Sequence, residues 1–302
     1  MAVTASKMID ETKGLLQSWS LDEEQSTTLQ NTMGSADLTF QVTSARGVAT
    51  GVSPGIIEID NELIYADTVS PTGAATIPPW GRGYLNTTPA NHTAGSRVVS
   101  QPTFPRAKVL DSLNQVMQRI FPSVWAVKST ELTTTFPVIT YDVGDDAEWV
   151  LGARWQVPDG RQYWQSIRRW RISPGGGTHF GNTGITVDIG DDMIPGRPIQ
   201  ILYAAKPKPL VLETDDFETV TGLNLGIEDV VTLGAAAALT ESQELSRLQM
   251  SSVEQQNRAQ LVAPSAALTS SRYLEQRFQQ RLLEERRSLQ RLYPPHVTRE
   301  WI

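Results

Sequence analysis

Cysteine is absent from the 302 residues, and histidine occurs only at His92, His179 and His296. The lack of cysteine excludes a disulfide framework, a thiolate metal site, a Cys nucleophile and an iron–sulfur cluster. Three histidines far apart in the sequence make no zinc site without cysteine. No apolar run reaches the ~18 residues that read as a membrane span. The N-terminal residues lack the basic-then-apolar order of a signal peptide. At 39% hydrophobic and 20% charged residues, the chain has too much apolar mass for disorder and enough for real cores. The expectation is a soluble protein made in a reducing compartment, with little catalytic equipment, no cofactor and no metal.

The length allows one large domain or two to three smaller ones. Glycine (22) and proline (18) are plentiful without a collagen period, which predicts many turns and a sizeable β component. The net charge of −7 is unevenly spread. Residues 270–302 hold seven Arg and four Glu, a balance of +3, so the rest carries −10. A basic tail on an acidic body marks a docking element rather than a catalytic one.

Along the chain, residues 1–36 read as a short helix (4–17) and a polar Ser/Thr/Gln linker. Residues 37–103 read as a small β-domain. In it, Ile56–Asp60 and Leu63–Ala66 flank Asn61-Glu62 in a tight hairpin. In 104–130, apolar residues from Ala107 to Phe121 recur every three or four positions, with prolines at both ends, and predict an amphipathic helix. Residues 131–225 return to β, with strands at 148–157, 163–172, 186–189 and 199–204. Two more helices fill 226–292, at 227–249 and 264–292, and 293–302 form an extended tail. Each helix has one apolar stripe and needs partners. The predicted fold is therefore α+β: a helical bundle assembled from discontinuous helices, with a barrel-like and a sandwich-like β-domain inserted.

No constellation in the sequence reads as an active site. The Asp pairs at 145–146, 191–192 and 215–216 sit beside Gly, Pro or Thr, where aspartate makes turns and caps. Gly175–Gly177 lacks the Lys-Ser/Thr and helix start of a phosphate loop. The run Tyr163–Arg171 interleaves aromatic and basic residues, a mix that can bind single strands. Read as a half-buried strand, it places Trp164, Ser166, Arg168 and Trp170 on one side.

The C-terminal stretch carries more. Pro294-Pro295 fixes an extended conformation after a long Arg-rich helix, and Trp301-Ile302 supplies a large apolar anchor. Arg287, Arg291, Tyr293, Pro294, Pro295, His296, Arg299, Trp301 and Ile302 are the candidate partner-binding residues, set for a groove on another subunit.

Three stretches resemble head-to-tail adaptor (connector) proteins of tailed bacteriophages, especially those of actinobacteria. The first is Ile56-Ile-Glu58-Ile-Asp60-Asn-Glu62-Leu-Ile-Tyr65 followed by Trp80-Gly-Arg82-Gly83-Tyr84 and on through His92 to Gly95. It is similar to a β-module of phage virion proteins that reads "Glu-Ile-Asp-x-Glu" and later "Arg-Gly" and "Ala-x-His", with Asn86 standing where glycine is usual. The others are Phe104-Pro-Arg106 with its helix, and Asp229–Glu241 with the long helix ending Arg291-Leu-Tyr293-Pro294. The resemblance implies a connector-type helical bundle and a virion role in the neck: a ring, typically of twelve copies, beneath the portal protein. Such a ring extends the DNA channel, docks its C-terminal segments into the portal, and meets a stopper or tail protein below. It implies no enzyme, no membrane, and passage of genomic double-stranded DNA without sequence-specific binding. Made in the host cytoplasm, it would end in the virion. An acidic body suits such a channel, because like charge repels phosphate. Two other readings remain: a neck stopper or minor tail protein, and a host-surface or carbohydrate-binding module using Trp80, Trp155 and Trp164.

Overall fold

The computed structural model describes residues 2–17, 25–45, 48, 55–135, 139–157, 163–174, 185–191, 194–249 and 266–294. They form two compact units. The first comprises Met1–Ser6, Asn114–Val231 and Gln276–Ile302, and the second Lys7–Leu113 and Thr232–Glu275.

The second unit is built, among the described residues, on two antiparallel sheets. One runs β1 (Gln25–Thr28), β7 (Arg97–Ser100), β3 (Gly55–Ile59), β4 (Glu62–Ala66), and the other β2 (Thr39–Gln41), β6 (Ala74–Thr76), β5 (Thr68–Val69). Val, Ile and Phe on their inner faces share one core that includes Phe40, Ile57, Ile59, Ile64, Val69 and Val98. The hairpin β3–β4 pairs Ile59 with Glu62, so its two-residue turn is Asp60-Asn61. That turn lies one residue earlier than the sequence reading placed it, with Asp60 at φ 51°. Glu62 consequently belongs to a strand and is buried. β1 lies inside the expected linker and is held by pairing with β7.

The first unit also has two antiparallel sheets among the described residues. Their orders are β11 (Trp164–Ser166), β10 (Ala147–Gln156), β14 (Pro198–Ala205), β8 (Ala126–Thr133), and β12 (Trp170–Pro174), β13 (Ile185–Ile189), β9 (Thr140–Asp142). Tyr141, Val150, Trp170, Val187, Ile199 and Ile201 lie in the core between them. The segment 163–172 is thus two strands in two sheets. Its break comes where the Arg168 and Arg169 N–H groups donate to Asp191 Oδ2 at 3.0 and 3.3 Å.

The helices are α1 (Ala5–Gln17), α2 (Arg106–Ile120), α3 (Phe217–Thr221), α4 (Glu228–Gln249) and α5 (Ala266–Leu292). The α+β class stands, but the connector-type bundle with two inserted β-domains does not. The four antiparallel sheets are the frame, and each long helix contributes residues to both units. The helices are tied to strands and loops as well as to one another. Within the second unit, Lys13 of α1 and the Arg106 N–H at the start of α2 both donate to Glu58 of β3. Within the first unit, the Asn114 amide of α2 exchanges hydrogen bonds with Leu210 after β14, at 2.9 and 2.8 Å. Helix–helix contacts exist too, such as Arg281 of α5 on Asp229 of α4. A stripe needs an apolar partner, and a sheet face serves as well as a helix.

Candidate functional site

Among the described residues, a cluster of four charged side chains lies in the second unit. Asp60 is at the tip of the β3–β4 turn and Glu62 opens β4. Arg82, Gly83 and Ala90 lie on the loop that follows β6, and His92 is fixed by backbone bonds exchanged with Met33. Arg82 donates from Nε and Nη2 to the two Glu62 oxygens at 2.7 and 2.9 Å. Its other hydrogens reach the carbonyls of Gly34, Asp37 and Ala90. The N–H groups of Gly83 and Ala90 also donate to Glu62. His92 donates from Nε2 to Glu62 at 2.9 Å and from Nδ1 to Asp60 at 2.8 Å.

The side chains of Glu62, His92 and Arg82 are 0%, 1% and 6% exposed. Burial alone would strip charge from Glu62, but hydrogen bonds from Arg82, His92 and two backbone N–H groups hold its pKa at about 2. Burial likewise opposes a charged His92. The bonds to Asp60 and Glu62 overcome it and lift the imidazole to about 9. The bond from His92 holds the Asp60 carboxyl below its usual range. The ring is therefore an imidazolium at neutral pH, donating from both nitrogens.

Chemically this arrangement is a clasp. The Glu62 oxygens are engaged on every side, so neither a substrate nor a metal ion can reach them. Among the described residues, no group of three or more His, Asp or Glu is arranged to hold a metal. What the clasp does is position a loop. Gly81 O accepts from Tyr65 N–H of edge strand β4 at 2.8 Å, and Thr87 Oγ1 accepts from Leu63 N–H at 3.0 Å. The loop thereby covers the strand edge and holds two apolar side chains outward, Trp80 at 61% and Leu85 at 64% exposure. Trp80, Tyr65 and Tyr84 form one aromatic group, with ring centres 4.7 to 6.3 Å apart.

The candidate partner-binding residues of the C-terminus divide. Arg287 and Arg291 are exposed on α5, Pro294 is exposed, and Tyr293 is half-buried with its N–H on Leu289 O. Tyr293 joins Trp125, Glu218, Leu223 and Leu289 around a cavity of about 230 Å³. Pro295, His296, Arg299, Trp301 and Ile302 lie outside the described residues, as do His179, Asp192 and Gly175–Gly177.

Of the aspartates beside the predicted turns, Asp215 accepts from the Val211 and Leu212 N–H groups and Asp216 caps α3, whereas Asp146 binds Lys128 and the Tyr203 hydroxyl. Of the three tryptophans considered for a sugar platform, Trp80 is the exposed one. Trp155 and Trp164 are half-buried on β10 and β11, with Arg154 over the Trp164 ring at 5.5 Å.

Sequence reasoning missed the role of His92, Arg82 and Glu62, although the quoted motif names all three. The available signal was the spacing Asp60-x-Glu62 at a hairpin turn, which brings two carboxylates to one end of the sheet. No protein-family model matches the chain, and no curated protein matches it.

Proposed function

We propose that the chain is a virion structural protein, a head-to-tail adaptor whose copies form a ring beneath the portal of a tailed phage. The observation that carries the reading is the end of α5. Phe278 and Leu289 of its packed face are covered, whereas Leu292, on the same stripe one turn further on, is 63% exposed. On the other faces of the same two turns Arg286, Arg287 and Arg291 are exposed, with no acidic residue beyond Glu285 on the helix. An apolar stripe that outruns its own cover, on a basic helix end, is the chemistry of a docking helix. Among the described residues no helix is long and apolar enough to cross a membrane. The phage motif supports the same reading, because Asp60, Glu62, Arg82 and His92 act together as one structural clasp.

Deleting residues 293–302 tests it. Full-length chain is expected to co-sediment with portal-containing capsids, and the truncated chain to stay in the supernatant. Undiminished capsid binding by the truncated chain would overturn the docking role.

A further inference from the structure

The clasp presents an epitope. Leu85 is 64% exposed and sits in the left-handed region at φ 53°, ψ 37°, with Asn86 beside it at φ 68°. Backbone strain of this kind persists only where the surroundings impose it, and it concentrates at functional surfaces. Here the imposing structure is Arg82, Gly83, Thr87 and Ala90 tied to β4. Among the described residues, the exposed charges beside the loop are predominantly acidic: Asp37, Asp60 and Asp67 against Arg97 at the loop's end, with Arg82 shut inside.

The solvent face of α5 has the opposite balance. Leu283 is 48% exposed, and Arg286 and Arg287 follow it by three and four residues. Those spacings put all three on one helical face, among the exposed Gln279, Gln280 and Gln290, with Glu284 at its border paired to Arg281. We propose that the Trp80–Tyr84–Leu85 surface of one copy docks the Leu283–Arg286–Arg287 face of α5 in a second copy. Each surface has an apolar centre, and their net charges are of opposite sign. Arginine over tryptophan and tyrosine faces adds a cation–π attraction, and Trp, Tyr and Arg are the residues that dominate interfaces. Because the two surfaces differ, each copy keeps one of each free, and the contact propagates from copy to copy.

Several polar side chains at the loop are engaged within the unit: Asn91 accepts from Ser35 N–H, the neighbouring Asp37 from Gly34 N–H, and Thr87 bonds Leu63 and Tyr84. The acidic rim disfavours nucleic acid.

The inference rests on the self-assembly in the adaptor reading, and a mixing experiment on the full chain tests it. Sedimentation velocity is run to millimolar concentration on wild type, on Leu85→Asp, which spoils the loop, and on Leu283→Asp, which spoils the helix face. Wild type is expected to self-associate, and each variant to do so about tenfold more weakly or less. Mixed together, the two variants are expected to form one-to-one dimers, since each retains the surface the other lacks. Leu85→Gly, which the left-handed backbone accommodates, guards against loss of folding: it is expected to keep the wild-type melting profile and lose association. A monomeric wild type, variants that associate as wild type does, or a silent mixture would each overturn the proposal. So would glycan-array binding by wild type that Trp80→Ala abolishes. Capsid binding through 293–302 is read separately, so failure of this contact and failure of the adaptor reading are distinguishable.

Discussion

His92 Nε2 lies 2.9 Å from Glu62 Oε2, and both side chains are closed to solvent. A strand carboxylate and a loop imidazole thirty residues later in the chain are thus neutralised against each other, with Arg82 completing the charge balance. In the second unit this group ties the loop that carries Trp80 and Leu85 to β4.

Stability is expected to depend on pH with a defined sign. The folded pKa of His92 is about 9, above the ordinary 6.5. Its contribution is therefore full below about pH 6.5 and is lost as pH rises through 9. The folded pKa of Glu62 is about 2, below the ordinary 4.5. Its contribution is present above pH 4.5 and is lost as pH falls towards 2. Thermal melts across pH 3 to 10 are expected to show the cluster's support greatest between these limits and weakening on either side, and His92→Gln is expected to flatten the alkaline side.

Removing one member of a buried charged group leaves the others unpaired. Glu62→Gln is expected to cost about 3–5 kcal/mol in urea unfolding. Arg82→Lys is expected to cost nearly as much, because an ammonium cannot serve both Glu62 oxygens and the carbonyls of Gly34, Asp37 and Ala90. Limited proteolysis of Arg82→Lys is expected to cut within residues 83–91.

A second buried pair joins α1 to β3. Lys13 Nζ is 3.4 Å from Glu58 Oε2, and burial pushes the Glu58 carboxyl above its usual range despite Lys13 and the Arg106 N–H. Lys13→Met is expected to destabilise by about 3 kcal/mol. Combining it with Glu58→Gln, which keeps an acceptor for Arg106 N–H, is expected to recover part of that loss. A double-mutant cycle in urea measures the coupling.

Two glycines are expected to respond oppositely to alanine. A Cβ at Gly14 meets nothing within 4 Å, so Gly14→Ala in α1 is expected to stabilise by about 1 kcal/mol. A Cβ at Gly81 would lie 2.6 Å from Tyr65 O and 2.8 Å from Ile77 Cγ2. Gly81→Ala is expected to destabilise by about 1–3 kcal/mol and to alter Trp80 fluorescence.

The helices were legible because apolar residues recur at three and four positions, as from Ala107 to Phe121, and prolines bound them. Several strands were legible from β-branched runs between turns, among them β3, β4, β10 and β14. β1 was not, since Gln-Ser-Thr-Thr carries no alternation, and pairing with β7 alone makes it a strand. The bundle was misread for a related reason: an amphipathic stripe states that a partner exists, not whether it is a helix or a sheet. Glu62 was assigned to a turn because Asn-Glu after an apolar run resembles one. Arg82 and His92, twenty and thirty residues downstream, leave no trace in local periodicity.

The most direct test of the adaptor reading is a symmetric reconstruction of the neck from particles containing this chain. The reading predicts a ring of the chain immediately below the portal, with residues 286–302 in contact with it. Density for the chain on the tail tube, on fibres or on the capsid exterior, with none beneath the portal, would contradict it.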